Sequence, residues 1–303
     1  MWLSMPPRWR LGACWTGAGG FRGARAARRG RARKRAPKAS NFALRPARAL
    51  AVTAAGPRPS LARLAFASAA RYILAMPTYA FDPPPQPAVP ILGEATLYPV
   101  RRILCVGRNY AAHRREMGGG DDDPDPPFFF SKPADAVVLP GQDAPYPPVT
   151  HNLHHEMELV VALGGGGADV AARDALGLVF GYAAGVDLTR RDLQSASRDK
   201  GQPWEAAKGF DHSAPISPIK RWTGPPPQGR IWLTVNGAAR QDAVVADMIW
   251  DVAAIICEAS KLWRLAPGDL IYTGTPEGVG PVVRGDLVEG EIEGVGALAF
   301  RIV

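Results

Sequence analysis

The chain has 303 residues, 47% of them hydrophobic and 21% charged, with a formal net charge of +8; this suits one large folded domain or two small ones and excludes a wholly disordered protein. The charge is unevenly placed: residues 1–75 carry 16 of the 36 Lys and Arg and none of the 28 acids, so the rest is net acidic and lacks the clustered basic groups that a nucleic-acid groove needs. Three scattered cysteines, Cys14, Cys105 and Cys257, exclude a Cys-x-x-Cys zinc or redox centre and fit a reducing compartment, and no apolar run reaches the length of a membrane span.

Residues 1–75 are Arg, Ala, Gly and Pro with few groups able to bury surface, and are expected to be disordered. Three origins suit them: an over-extended start ahead of the internal Met76, an Arg-rich transit peptide with a weakly amphipathic helix at 61–75, or a basic nucleic-acid-binding arm. The composition shift at Met76 and the lack of a recognition motif favour the first. A cytoplasmic protein is then expected, or an organelle-matrix protein if the leader is a transit peptide.

A Pro-rich lead-in arm occupies 76–99, and one folded domain is expected over 100–303. Residues 100–106 read as a buried strand. They lead through Gly107-Arg108-Asn109 into a short helix at 110–117, with Asn109 as N-cap and Gly118 as stop. Residues 118–127 are polar and glycine-rich, a candidate mobile lid, before Phe128, Phe129 and Phe130 re-enter the interior.

The run from Leu159 to Leu163, closed by four glycines, is expected to be a strand. A helical or turn segment follows at 168–176, then a strand at 178–186 that ends at Asp187. Thr189 and Asp192 match a capping box for a helix running to about Asp199. Lys208 is expected in a loop over 204–210, and 215–227 reads as a proline-rich surface passage. Residues 231–241 form the clearest hairpin, turning at Asn236-Gly237, and 247–265 an amphipathic helix. A strand at 270–273, a Gly-rich loop after Thr275 and two strands in 287–303 complete the chain. Strands outnumber helices without regular alternation, and no glycine fingerprint for dinucleotides follows a strand, so the expected class is α+β and β-rich.

Two acids precede the core run. On a strand Glu156 and Glu158 point to the same side, about 6.5–7 Å apart at Cα. Like charges so placed beside apolar neighbours resist desolvation, so either one is protonated or a cation lies between them; a solvated edge-strand face is the plainer alternative. Asp187, free of capping duty at a strand end, supplies a third carboxylate. An all-oxygen set selects a hard cation, Mg²⁺, Mn²⁺ or Ca²⁺, over zinc. His113 and Glu116, three apart on a helix, are surface neighbours, so the carboxylate can hold the imidazole and raise its basicity; a surface ion pair is the alternative.

The motifs VGRNYAAHRREM from Val106, LHHEMELVV from Leu153, DLTRRDLQ from Asp187, KGFD from Lys208 and YTGTPEGVGP from Tyr272 together resemble the fumarylacetoacetate hydrolase family in order and spacing. The resemblance covers 100–303 and implies a mixed β-sandwich roll, usually a homodimer, acting on a small 2,4-dioxo acid. It implies Glu156, Glu158 and Asp187 as ligands of Mg²⁺ or Mn²⁺, His113 and Glu116 as a water-activating pair, and Lys208 as support for an oxyanion. Arg191, Gln194 and Thr275 are implied to line the substrate. The implied reaction is hydrolysis of a C–C bond in an acylpyruvate such as fumarylpyruvate. Oxaloacetate decarboxylation, isomerisation of a hydroxymuconate-type diacid and a metal-stabilised binding module are the alternatives.

Overall fold

The computed structural model describes residues 78–118 and 126–303. The Arg-rich leader, its helix at 61–75 and residues 119–125 of the expected lid lie outside the described residues. The chain divides into Met1–Pro84 and Pro85–Val303; of the first unit, residues 78–84 are described, exposed and without helix or strand. The second unit carries every element below.

Its strands in chain order are β1 Ala88–Pro90, β2 Leu97–Pro99, β3 Arg102–Gly107, β4 Phe128–Lys132, β5 Val137–Val138, β6 Leu153–His155, β7 Met157–Leu163, β8 Val179–Val186 and β9 Thr189–Arg190. They continue as β10 Ala214–Pro215, β11 Lys220–Arg221, β12 Arg230–Val235, β13 Ala238–Val244, β14 Asp269–Tyr272, β15 Gly280–Val282, β16 Leu287–Ile292 and β17 Gly296–Arg301. The α-helices among the described residues are α1 Ala111–Glu116, α2 Ala172–Ala175, α3 Arg191–Asp199, α4 Glu205–Lys208 and α5 Val252–Leu262.

The central layer is a six-stranded sheet in the order β11-β8-β7-β14-β3-β4. All of β7 is buried, which is why it reads as a continuous apolar run rather than an alternating one. Met157, Leu159, Val161 and Leu163 enter one core with Ile231, Leu233 and Val288 of the four-stranded sheet β13-β12-β16-β17 and with Ile255 of α5. Val160 and Ala162 enter a second core with Cys105, Ala183 and Tyr272. Two sheets packed face to face give the strand-rich α+β sandwich expected. Burial on both faces also removes the solvated edge-strand alternative for Glu158. The hairpin β12–β13 turns at Asn236 (φ 52°) and Gly237 (φ 76°), the paired left-handed residues of a type I′ turn.

Several local expectations are corrected. Helix α1 has Tyr110, not Asn109, as N-cap and no side-chain cap; Asn109 is buried and donates to the Trp250 and Thr273 carbonyls at 2.9 and 2.8 Å. Thr189 does not cap α3, whose N-cap is Arg190. It lies in β9, and Asp192 accepts instead from the Thr150 hydroxyl at 2.6 Å and the His151 N–H at 2.9 Å. Helix α5 begins at Val252, capped by the Asp251 side chain. Ile249 keeps helical spacing in sequence but lies ahead of the extended N-cap Asp251, where the N–H groups of Ile249 and Trp250 donate to the Asn109 main-chain and side-chain oxygens. Lys208 ends the short helix α4 rather than sitting in a loop. Pro215, Ile216, Ser217 and Ile219 are buried, so that part of the proline-rich passage is interior. The lead-in arm is not merely extended, for β1 and β2 pair with each other.

Candidate active site

Strand register builds the carboxylate cluster. In the β7–β8 ladder Met157 faces Val186 and Glu158 faces Gly185, so one further step sets Glu156 against Asp187, and the Asp187 N–H donates to the Glu156 carbonyl at 2.8 Å. Glu156 lies in the break between β6 and β7, not in the strand as its spacing predicts, yet its side chain still converges with that of Glu158. Oxygens of Glu156, Glu158 and Asp187 lie within 4.8 Å of one another, and all three residues are buried.

Three carboxylates in so small a buried volume cannot all stay ionised unless cations neutralise them. Lys208 does part of this: its ammonium donates to Glu156 Oε2 at 2.7 Å, Asp187 Oδ2 at 2.6 Å and Thr189 Oγ1 at 2.6 Å. Arg191 donates to Glu156 Oε1. With Lys208 and Arg191 beside it, the Glu156 carboxyl is held well below the usual carboxylate range despite burial. Glu158 has no cationic partner among the described side chains. Burial, together with the charges of Asp187 and Glu156, pushes its carboxyl well above that range, and among the described residues it accepts from the Gly274 N–H at 2.8 Å. Asp187 Oδ1 faces the Lys132 ammonium at 2.7 Å without a hydrogen-bonding angle. An oxygen-only cluster of three buried acids, in which Glu158 forms no ion pair among the described residues and Asp187 Oδ1 no hydrogen bond, fits a hard divalent cation.

Glu156 and Glu158 line a pocket that also receives His113, Gln194 and Thr275. His113 is buried on α1, and its Nδ1 lies 2.9 Å from Glu116 Oε2. A carboxylate can only accept, so the His113 Nδ1–H donates to Glu116. Glu116 is pinned from behind by the Gly278 N–H at 3.1 Å. Gln194 accepts from Arg191. The Thr275 hydroxyl accepts from Gln241 Nε2 at 2.8 Å, and the Gln241 carbonyl oxygen accepts from the Met157 N–H at 2.9 Å. All nine residues singled out from sequence therefore converge: eight line this pocket or its carboxylate cluster, and Glu116 backs His113.

Some parts escaped sequence reading. Lys132 is buried on β4, where its ammonium meets the Leu188 and Lys208 carbonyls as well as Asp187; its signal was a lone charge just after the aromatic run 128–130. Arg108, Arg198 and Trp204 line the pocket too, and Arg198 falls on the helical face already defined by Arg191 and Gln194. The Gly274 and Gly278 N–H groups hold Glu158 and Glu116, a role that leaves no side-chain trace.

The sequence pattern of the family described as "Fumarylacetoacetate (FAA) hydrolase C-terminal" matches residues 102–303. The chain is 46% identical over 174 residues to a fumarylpyruvate hydrolase of Ralstonia sp, covering 57% of this chain and 91% of that protein. It is 41% identical over 204 residues to a mitochondrial oxaloacetate tautomerase of Homo sapiens, covering 67% of this chain and 91% of that one. The crystal structure of fumarylpyruvate hydrolase from Pseudomonas aeruginosa in complex with Mn²⁺ and pyruvate matches with a TM-score of 0.72 at 48% identity, covering 75% of this chain and 99% of that chain.

Proposed function

Because the chain belongs to the fumarylacetoacetate hydrolase family, we propose that it is a metal-dependent hydrolase that cleaves the C–C bond of a 2,4-dioxo acid, with fumarylpyruvate as substrate and fumarate and pyruvate as products. The observation that carries this reading is the buried cluster of Glu156, Glu158 and Asp187, two of whose acids line one pocket with His113, itself bonded to Glu116.

Glu156, Glu158 and Asp187 would hold the cation, Mg²⁺ or Mn²⁺ on the oxygen donor set and on the Mn²⁺ of the solved relative. When bound, the cation supplies Lewis-acid stabilisation of negative charge on the 2-oxo acid end of the substrate. Arg191, Gln194 and Thr275, which line the same pocket, would bind that end. His113, with Nδ1 tied to Glu116, takes a proton from water at Nε2. The resulting hydroxide attacks the C4 carbonyl, the C3–C4 bond breaks, and its electron pair passes to the pyruvate fragment as the enolate. The proton on His113 returns to C3. Lys208, already placed among the carboxylates, supports the developing negative charge from the buried side. Lys132 keeps Lys208 in place through its main-chain carbonyl. A homodimer, a cytoplasmic location and a part in aromatic breakdown belong to the same proposal, supported by the family resemblance.

Tautomerisation of oxaloacetate is the second reading, favoured by the 41% identity to proteins of that name: a base at His113 can move a proton between C3 and an enol oxygen without an attacking water. Loss of the ultraviolet absorbance of fumarylpyruvate, followed with purified protein in Mg²⁺ or Mn²⁺ and compared with acetylpyruvate and oxaloacetate, separates the two. Hydrolysis requires metal-dependent release of pyruvate that a chelator abolishes. Rapid enol–keto conversion of oxaloacetate with no pyruvate formed from either acylpyruvate would replace the hydrolase reading by the tautomerase one.

A further inference from the structure

Helix α3 forms one wall of the pocket, and its pocket-lining residues are Arg191, Gln194, Ser195 and Arg198. These recur at helical spacing and so fall on one face. Exposure increases along that face: Arg191 and Gln194 are buried, Ser195 is half-buried and Arg198 is exposed. The buried end carries the Arg191 contact to Glu156. Arg198 lies seven residues further on, about 10 Å along the axis, at the solvent end of the same wall.

A second cation borders the pocket from another element. Arg108 follows β3 and is exposed. Its φ of 60° lies in the left-handed region, which a side chain as large as arginine adopts at a cost. It has no hydrogen bond or ion pair among the described residues. Among the described residues the Arg198 side chain is engaged only by its neighbour Asp199, at 3.1 Å, with side chains 42% and 67% exposed, an arrangement that contributes little and is readily exchanged. By contrast, Arg191 and Lys208 are committed to the carboxylate cluster. The lining also holds the aromatic rings of Trp204 and Phe130, with centroids 5.9 Å apart and planes tilted by 56°.

We propose that Arg198 and Arg108 form a subsite for the distal carboxylate of the substrate, so that the enzyme selects 2,4-dioxo acids carrying a second carboxylate at the end of a planar unsaturated chain. The inference rests on the acylpyruvate reading above. The 2-oxo acid end occupies the buried cluster, the conjugated chain lies along Trp204, and the far carboxylate accepts hydrogen bonds from guanidinium groups at the rim. Two arginines on separate elements recognise a planar carboxylate better than one point charge. A monocarboxylic acylpyruvate with a short chain ends before it reaches them.

The test is the ratio of kcat/KM for fumarylpyruvate to that for acetylpyruvate, measured with Mn²⁺ for the full chain and for Arg198→Gln, Arg108→Gln and the double variant. Wild type is expected to prefer fumarylpyruvate. The ratio is expected to fall about 10- to 100-fold in the double variant, mostly through KM for fumarylpyruvate, as loss of charged hydrogen bonds requires. Arg198→Lys, which keeps the charge without the planar fork, is expected to keep part of the preference. A wild-type enzyme that cleaves both substrates equally well, or a double variant that keeps the wild-type ratio, overturns the subsite and leaves C–C hydrolysis standing. Cleavage of neither substrate by wild type overturns the hydrolase reading and the subsite with it.

Discussion

Glu116 is one-third exposed, yet both of its oxygens are held, Oε2 by the His113 Nδ1–H and Oε1 by the Gly278 N–H. A surface ion pair between mobile side chains would have no such anchor, so the geometry favours a pair that orients the imidazole. Glu116→Gln keeps the size of the side chain and removes the charge that fixes the tautomer and strengthens the base. General bases contribute about 10²–10⁴-fold, so acylpyruvate cleavage is expected to fall by about 100-fold or more, with kcat reduced and the binding of oxalate, a mimic of the pyruvate enolate, little changed. Steady-state kinetics with an oxalate inhibition constant checks this. Unchanged kcat would return the pair to surface electrostatics. Any decarboxylation of oxaloacetate needs no attacking hydroxide and is expected to fall much less than hydrolysis.

At the scale of elements, the loop between β14 and β15 is as important to the site as the strands. It turns at Gly274 (φ 93°) and Gly278 (φ 89°), and the N–H of each holds one carboxylate, Glu158 or Glu116. A Cβ on Gly274 would lie 2.7 Å from Asn109 Cβ, and the backbone angle is itself unfavourable for a residue with a side chain. Gly274→Ala is therefore expected to cost about 1–3 kcal/mol of stability, measured by urea unfolding, and to weaken metal binding because Glu158 loses its anchor. Stability within a few tenths of wild type would mean that the loop adapts. The same loop marks where sequence reading stops. The two-residue spacing of Glu156 and Glu158, the strand end before Asp187 and the helical spacing of His113 and Glu116 were legible because those relations are local, even though Glu156 falls in a one-residue break ahead of β7. Asn109 and Thr189 look like helix caps in sequence, but their side chains serve partners far along the chain, Thr273 and Lys208. Lys132 enters through an edge strand whose neighbours in space, Leu188 and Lys208, are 56 and 76 residues away. Such long-range polar bonds carry no period, so they appear only once the sheet is assembled.

At the scale of the molecule, two packed sheets generate the fold while the chemistry occupies the ends of the central strands, where β7 begins and β8 finishes. Six-stranded pairing fixes the carboxylates with little freedom, since Glu158 and Asp187 are buried at strands locked on both sides. Such a site is costly for an apolar core and is repaid only if a cation completes it. The central claim is that Glu156, Glu158 and Asp187 bind one divalent ion, and calorimetric titration of Mn²⁺ into metal-free wild type and Glu158→Gln tests it most directly. Wild type is expected to bind one ion per chain. Even the partners that merely support metal ligands cost about 10–100-fold in affinity when lost, so Glu158→Gln is expected to lose more than about 100-fold. No Mn²⁺ binding by wild type, or equal affinity in the variant, would contradict the account and leave the cluster as an internal ion-pair network held by Lys208.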